Sequence, residues 1–419
     1  MTSIFCITSI KGNTIGYLTR LCKTSKNFNS VTQVAFMKTL PTRSQTPKPA
    51  PFPYWKKQCN DLSMTFDPTT LRYDENSKLI VVDGPPAVGK SKLCEQIAKE
   101  FGLLYMPPPT FDEIYINYYG YDVRNLNSKL KDEWRMRDLT DFLRDPDHQG
   151  TARIQYGIFT MRMEQYMNAL LHILASGQGV VLNRCIFTEA GYMHAMYNSG
   201  YLSKKAVNEF EMMRINTFQY LLRPHLIIYL DATPENILER IKERGNIDEI
   251  NSKVFTKKFL SDLSTATKEK CLSWLSSHTE ILIYDWNKEW NKVDVINDIE
   301  NLNLEEEVKQ EKLGDWVFVD TNELIESLRL YHTKYHIIAC MEQTPIAEIA
   351  PELYITADQR NTINKMLNEI ESEKYAPNCN PKLHKIPWIM KNNRFIFSFY
   401  RRTPRDFINC DLFKLPLPH

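Results

Sequence analysis

The chain has 419 residues, 43% of them hydrophobic and 25% charged, with 52 basic and 51 acidic side chains. This length allows one full domain plus a substantial additional region. A formal net charge of +1 gives no electrostatic reason to expect nucleic acid as a partner, and no apolar run approaches the roughly eighteen residues that cross a bilayer.

The nine cysteines are scattered singly along the sequence. They form no CxxC pair and have no spacing to histidine that suits zinc. An odd total without such pairing favours reduced thiols in an intracellular protein over a disulfide framework.

The first sixty residues are basic, and the first acidic residue of the chain is Asp61. A basic, hydroxyl-rich and acid-free segment is typical of a mitochondrial transit peptide, which we assign to residues 1–40. A disordered basic tail is the alternative interpretation. The Pro-rich stretch that follows cannot enter regular helix or sheet, so residues 41–77 are expected to form an extended arm.

Short apolar runs alternate with helical segments from Leu79 onward. The runs that predict buried strands are 79–83, 103–106, 179–182, 225–231 and 281–285. The segments that predict helices are 90–101, 151–175, 203–222, 233–244 and 255–276. Such alternation predicts a parallel sheet covered by helices on both faces, with a ligand beyond the carboxyl ends of the strands.

The alternation ends after about residue 312, so we divide the remaining chain into a domain over 78–305 and an extension over 306–419. Segments 321–341 and 357–373 predict further helices. The last forty-odd residues combine proline, aromatic and basic side chains, with too many large apolar groups for a free tail. They are expected to dock either on their own domain or on another chain.

A phosphate-binding motif follows the first predicted strand and opens the first predicted helix. Gly84, Gly89, Lys90 and Ser91 complete the pattern GxxxxGK[ST]. Glycines allow consecutive N–H groups to point at phosphate oxygens, Lys90 supplies a cation, and Ser91 is the predicted ligand for Mg²⁺. The motif predicts that this end of the sheet binds nucleotide phosphates.

Residues 78–302 resemble the deoxynucleoside kinase family. Gln155 and Arg162, seven residues apart on one helix, match a family pair that lies against the nucleobase. Arg184 and Glu189 match an arginine and an acid that follow the third strand. The resemblance implies an α/β fold, a P-loop kinase-like parallel sheet flanked by helices, here with a C-terminal α-rich extension.

The same resemblance covers the segment that closes over the phosphates. Arg240 and Arg244 match arginines that clamp the phosphates, and Glu249 matches a carboxylate that contacts the sugar hydroxyl. The resemblance therefore implies phosphate contacts from Arg184, Arg240 and Arg244 in addition to the P-loop, and nucleoside contacts from Gln155, Arg162, Glu189 and Glu249.

The chain departs from the family at the catalytic base. The family carries a glutamate after the second strand that accepts the proton of the sugar 5′-hydroxyl, and here Pro108 matches that position. Proline accepts no proton, so the general-base contribution of roughly 10²–10⁴-fold is lost. Asp112 and Glu113 lie a few residues further on and are the only nearby substitutes, provided that the backbone is displaced.

Three further departures concern the metal and the phosphates. Asn183 replaces the acid that coordinates Mg²⁺ in the family, Cys185 replaces a serine, and Asn246 replaces an arginine. A neutral amide weakens a hard-cation site, and the lost arginine removes a donor to the transferred phosphoryl group. We therefore expect no catalytic residues and a site that binds a nucleotide without transferring phosphate.

This combination of features is similar to the deoxynucleoside-kinase-like accessory subunits of mitochondrial respiratory complex I, the NADH:ubiquinone oxidoreductase. The resemblance implies a peripheral protein on the matrix side of the inner membrane, with other subunits of the membrane arm as partners. It implies a bound deoxynucleotide or ATP/ADP, with or without Mg²⁺, and no flavin, iron–sulfur cluster or haem. An active mitochondrial deoxynucleoside kinase and a free nucleotide sensor are the alternatives.

Overall fold

A computed structural model provides the structure of the chain. It describes residues 37–41, 48–57, 59–60, 63–64, 66–116, 121–287, 292–304, 312–341, 343 and 350–370. Most of the predicted transit peptide and the aromatic residues near the C-terminus lie outside these described residues.

Five parallel strands form one sheet in the order β2-β3-β1-β4-β5. The strands are β1 (Leu79–Asp83), β2 (Leu104–Met106), β3 (Val180–Asn183), β4 (Leu226–Asp231) and β5 (Glu280–Asp285). In the central strand Val81 lies opposite Leu182 of β3 and Ile227 of β4. Every residue of β1 is buried, as expected for a strand covered on both faces. The predicted parallel sheet is confirmed.

Helices cover the sheet and form the connections between its strands. They are α1 (Lys90–Phe101), α2 (Asp112–Tyr115), α3 (Leu139–Arg144), α4 (Thr151–Ser176), α5 (Glu189–Asn198), α6 (Lys204–Phe218), α7 (Pro234–Arg244), α8 (Ile247–Ile250), α9 (Lys257–Ala266), α10 (Ser273–Leu275), α11 (Lys292–Asn301), α12 (Thr321–Thr333), α13 (Tyr335–Met341) and α14 (Ala357–Asn368). None of the helices in the described residues combines the length and apolar character needed to span a bilayer.

Side-chain caps set several of the helix starts. Ser203 accepts a hydrogen bond from the N–H of Ala206 before α6, and Asp320 accepts one from Glu323 before α12. Such caps satisfy one of the free N–H groups of the first turn. The predicted helix over 255–276 is present, but its middle is a π-helix over Thr267–Leu272 that joins α9 to α10.

The segment that precedes β1 packs on the domain through its aromatic residues. Phe52 and Tyr54 are buried, and the hydroxyl of Tyr54 lies 2.9 Å from Nδ1 of His172 on α4. Arg72 is 2% exposed and donates to both carboxylate oxygens of Asp67. The described part of this arm is therefore attached to α4 by specific polar contacts as well as by apolar burial.

The described part of the C-terminal extension also packs on its own domain. Helix α12 lies against α4, and its Tyr331 donates a 2.9 Å hydrogen bond to the carbonyl of Tyr220. Helix α14 buries Ile363 and Leu367 in a second, smaller core with the segment over Val123–Lys129 and its neighbours. The extension thus begins as an integral part of the domain.

Candidate phosphate-binding site

The loop between β1 and α1 has the shape of a phosphate cradle. Gly84 has a φ of 144°, and a Cβ there would lie 2.6 Å from the carbonyl oxygen of Leu230. Gly89 has a φ of 85° and caps the N-terminus of α1. Both positions therefore require glycine. Nζ of Lys90 donates to the carbonyl oxygens of Gly84 at 3.0 Å and Pro85 at 2.5 Å, which keeps the ammonium within the loop.

A buried carboxylate gathers the residues predicted to lie beside a nucleobase. Glu189, at the start of α5, is 1% exposed. Its Oε1 lies 2.8 Å from Nη2 of Arg184 and 2.5 Å from Nε of Arg162, while Nε2 of Gln155 donates to Oε2 at 3.3 Å. We name Gln155, Arg162, Arg184 and Glu189 the buried ionic cluster. It brings α4, α5 and the end of β3 to one point.

Arg184 occupies a constrained position in this cluster. Its φ is 66°, in the left-handed region that non-glycine residues rarely adopt. The guanidinium lies 3.8 Å from the ring centroid of Tyr192, and its Nε lies 3.8 Å from Oδ1 of Asp83. Burial lowers the pKa of Arg184, but the charge of Glu189 outweighs this effect, and the pKa is raised. Arg184 is thus held as a fixed cation.

Sequence reasoning missed Asp83 and Tyr192. Asp83 is the last residue of β1, directly before the first glycine of the motif, and it is 3% exposed. Tyr192 follows Glu189 by three residues, which places both on one face of α5. The sequence could have indicated both residues, because Asp83 directly precedes the P-loop motif and Tyr192 lies one helical turn after Glu189.

The Lys90 ammonium lies among like charges. Its pKa is lowered to about 7, first because it is buried and then because Arg184, Arg162 and Arg244 repel a further positive charge, although Asp83 opposes this. A surplus of cations at the N-terminus of a helix is an environment that an anion stabilises.

At the position expected to hold Mg²⁺, the side chains of Asn183 and Ser91 are hydrogen-bonded to each other. Nδ2 of Asn183 donates to Oγ of Ser91 at 2.9 Å, and the hydroxyl of Tyr105 contacts both side chains. Mg²⁺ needs oxygen lone pairs, above all those of carboxylates. The described residues contain no group of three or more His, Cys, Asp or Glu side chains that could hold a metal ion. These residues therefore do not fit the metal site predicted at Ser91.

The two carboxylates considered as replacement bases have other contacts. Pro108 follows β2, as predicted. Asp112 is paired with Arg124, 2.5 Å from its Nη2, and the Asp112 side chain is 58% exposed. Oε1 of Glu113 accepts from the N–H of Thr110. Both side chains are therefore engaged within their own segment of the chain.

The two arginines in the segment beyond β4 have different hydrogen-bond partners. Nη1 of Arg244 donates to Glu249 at 2.9 Å, so the carboxylate predicted to contact a sugar holds an arginine in this structure. Nη2 of Arg240 donates to the carbonyl oxygen of Trp286 at 2.7 Å. Asn246 caps α8 by accepting from the N–H of Asp248. Of the two arginines, Arg244 is the one whose charge lowers the pKa of Lys90.

Comparison with known proteins identifies the family. The model of the deoxynucleoside kinases, described as "Deoxynucleoside kinase", matches residues 80–309. The chain belongs to the deoxynucleoside kinase family.

Two groups of known proteins are similar to this chain in sequence. NADH dehydrogenase [ubiquinone] 1 alpha subcomplex subunit 10, mitochondrial, of Mus musculus is 31% identical over 76% of this chain and 85% of its own length. The same subunit of Rattus norvegicus is 30% identical with the same coverage of both chains. Deoxyguanosine kinase of Dictyostelium discoideum is 22% identical over 56% of this chain and 73% of its own length.

Solved structures of kinases are also similar to this chain. Deoxyadenosine kinase from M. mycoides with bound dATP matches with a TM-score of 0.40 and 16% identity, over 52% of this chain and 97% of the kinase.

Loss of the Glu189 charge should destabilise the fold. Glu189→Gln removes the nearest carboxylate from the buried guanidiniums of Arg162 and Arg184, and breaking such a pair costs about 3–5 kcal/mol. The free energy of unfolding, measured by chemical denaturation, should fall by that amount. The exposed Glu243 on α7 provides the matched control, since Glu243→Gln should change stability by less than about 0.5 kcal/mol. Equal stability of both variants would contradict the role given to the cluster.

Nucleotide binding should take up a proton near neutral pH. The pKa of Lys90 is about 7 in the ligand-free chain, and a bound phosphate raises it, so affinity should fall by up to about tenfold per pH unit as pH rises above 7. In the ligand-free chain, the depressed pKa makes charged Lys90 destabilising, and this penalty is relieved as pH rises from about 7 to 10.5.

Isothermal titration calorimetry in buffers of different ionisation enthalpy measures this proton uptake. Lys90→Arg is the control, because its guanidinium keeps the charge and does not titrate in this range. Identical uptake by both proteins would assign the proton to another group.

Proposed function

We propose that this protein is a non-catalytic accessory subunit of mitochondrial respiratory complex I that keeps a bound nucleotide as a structural ligand. The likeness to the mouse and rat NADH dehydrogenase subunits, over 76% of this chain, supports the assembly. The hydrogen bond from Asn183 to Ser91 carries the argument against phosphate transfer, because it occupies the position where a kinase needs a metal ligand.

The loss of catalysis follows from several positions acting together. Pro108 has no group that accepts a proton, Asn183 has no charge for a metal, and Asn246 caps a helix instead of donating to a phosphoryl group. Phosphoryl transfer depends on positioning and on electrostatic stabilisation of the transferred group. Without these residues, the site retains groups for binding but lacks the groups that act in the transition state.

Retention of a nucleotide is supported by the residues that remain. The cradle keeps Gly84, Gly89 and Lys90, and Arg184 and Arg244 add positive charge that reaches Lys90. A ligand that binds only the folded chain stabilises it by mass action, by about 2.7 kcal/mol at a hundredfold excess over its dissociation constant. We name the segment that carries Arg244 and Glu249 the lid. A nucleotide held in this way would link the P-loop to the lid.

The proposed location is the matrix side of the inner membrane, against the membrane arm of the complex. The basic N-terminal composition supports import. Met37 is buried, and the N–H of Lys38 donates to Oδ1 of Asn76 at 2.9 Å. These contacts favour a mature chain that still contains Met37. We therefore propose cleavage before residue 37, which makes the transit peptide shorter than the residues 1–40 assigned from composition.

An active deoxynucleoside kinase is the second candidate. The complete P-loop motif and the similarity to the Dictyostelium kinases, at 22% and 26% identity, favour it. It requires a new base at Asp112 or Glu113, and these side chains are engaged with Arg124 and Thr110. This second function is therefore the weaker one on the present geometry.

Native gel electrophoresis and a kinase assay together separate the two functions. The endogenous protein, solubilised from mitochondria in mild detergent, should migrate with the intact NADH dehydrogenase complex. The purified protein should phosphorylate none of the four deoxynucleosides with Mg-ATP above background. Migration as a free monomer would overturn the subunit assignment, and turnover near 1 per second, an ordinary rate for kinases, would establish the second candidate.

Removal of the Lys90 ammonium should lower nucleotide content and thermal stability together. Lys90→Ala deletes the cation that lies within the P-loop, so the bound nucleotide and its stabilisation should both be lost. Mass spectrometry of the nucleotides released from denatured wild-type and variant protein measures the first effect, and thermal unfolding measures the second. The exposed Lys92, two residues further along α1, gives a matched control in Lys92→Ala. An empty wild-type site and an equally stable Lys90→Ala variant would contradict the structural ligand.

A further inference from the structure

The hydrogen bond between Asn183 and Ser91 reverses the polarity expected at a metal site. Its donor is the Asn183 amide, and its acceptor is the Ser91 hydroxyl oxygen, at 2.9 Å. Asn183 keeps a second N–H and its Oδ1, Ser91 keeps its O–H, and the hydroxyl of Tyr105 contacts both side chains. These three side chains present no carboxylate oxygen to a ligand. A divalent cation needs lone pairs at such a point, whereas an anionic oxygen needs donors.

The charges around the phosphate cradle also favour an anion over a metal ion at this site. Arg162, Arg184 and Arg244 are cationic, and Lys90 becomes cationic as a bound phosphate raises its pKa. The carboxylates of Glu189 and Glu249 are bound to these arginines and are not free for a metal ion. In a kinase of this family a divalent cation neutralises part of the phosphate charge. Here fixed arginines, Lys90 and the N-terminus of α1 supply positive charge without an ion.

We infer that this site binds the triphosphate of a nucleotide as a metal-free polyanion, with the Asn183 amide, Ser91 and the surrounding cations in place of Mg²⁺. The inference rests on the proposed nucleotide site and specifies the ionic form of the ligand. It also gives a physical reason for the asparagine, because an aspartate at this position would repel a phosphate that carries no metal.

Asp83 is a further carboxylate beside the P-loop, and it is a possible ligand for a metal ion. Its Oδ1 accepts from the N–H of Gly84 and lies 3.8 Å from Nε of Arg184, while its Oδ2 is buried without a hydrogen-bond partner among the described residues. A single carboxylate beside an arginine is a poor hard-cation site, since Mg²⁺ prefers several oxygen ligands in octahedral geometry. Asp83→Asn therefore belongs in the test.

The experiment titrates the full chain with sodium salts of ATP and of the four deoxynucleoside triphosphates, once with EDTA and once with excess MgCl₂. The dissociation constant of the nucleotide that binds should be equal or lower in EDTA, because chelation leaves the polyanion fully charged. Binding that weakens by roughly tenfold or more on chelation would overturn the metal-free form.

Two variants at Asn183 test whether its amide is a group that binds the phosphate in place of Mg²⁺. Asn183→Asp should weaken metal-free binding by roughly tenfold and make affinity rise when Mg²⁺ is added. Asn183→Ala, which removes the donor without adding charge, should weaken binding several-fold with no response to Mg²⁺. If Asn183→Asp fails to fold, the alanine variant and the wild-type titration still decide the question. A wild-type Mg²⁺ dependence that disappears in Asp83→Asn would instead assign a metal to Asp83.

The outcomes separate this inference from the proposed function. Binding only in the presence of Mg²⁺ overturns the metal-free form and leaves the nucleotide site intact. No binding in either buffer, by protein that mass spectrometry shows to be free of nucleotide, overturns the nucleotide site together with this inference. Migration with the NADH dehydrogenase complex tests the subunit assignment independently.

Discussion

The buried carboxylate of Glu189 is the contact on which the site depends. It is almost fully excluded from solvent, and it binds Arg162 from α4 and Arg184 from the end of β3. A buried charge is tolerated only when it is paired and hydrogen-bonded, so these elements must meet in one geometry. That geometry fixes Arg184 in a left-handed conformation between Glu189 and Asp83 and aims positive charge at the P-loop lysine.

The same charges support the proposal that this fold holds a nucleotide without the groups that act in phosphate transfer. Ground-state binding of phosphates needs backbone N–H groups and cations, which the cradle and the arginines provide. Catalysis needs interactions that strengthen only in the transition state. Under the proposed function, Asn183 and Pro108 stand where the family has groups that act in catalysis, while the glycines and cations that bind phosphates are still present. Binding and catalysis can therefore be lost separately.

The C-terminal extension is connected to the lid through a short series of contacts. Helix α14 packs on the segment that contains Val123 and Leu126, and this segment leads into α3. On α3, Arg144 donates to Asp248 of α8 at 2.7 Å and 2.9 Å. The neighbouring residue on α8, Glu249, holds Arg244. The extension and the phosphate side of the site therefore belong to one packed unit within the described chain.

The sequence by itself determined the elements whose signals are local. The apolar run over Leu79–Asp83, the glycine pattern of the P-loop and the helical spacing before Gly177 each depend on neighbouring residues, and the structure places them as predicted. The ends of the five strands differ from the predicted ends by at most one residue. Local sterics and burial suffice for such elements. The family resemblance also selected Gln155, Arg162, Arg184 and Glu189, although their spacing says nothing of their mutual contacts.

Only the tertiary structure decided what these side chains bind. Glu189 is bound by two arginines, Glu249 holds Arg244, and the Asn183 amide donates to Ser91, which lies 92 residues away in sequence. The Asp83 carboxylate beside Arg184 was not foreseen either. A hydrogen bond or ion pair forms only when the packing of the whole sheet sets the distance between two elements to within a few tenths of an ångström. The spacing of residues in the sequence contains no information about such distances. It could therefore indicate which residues form the site but not which ion pairs and hydrogen bonds they make.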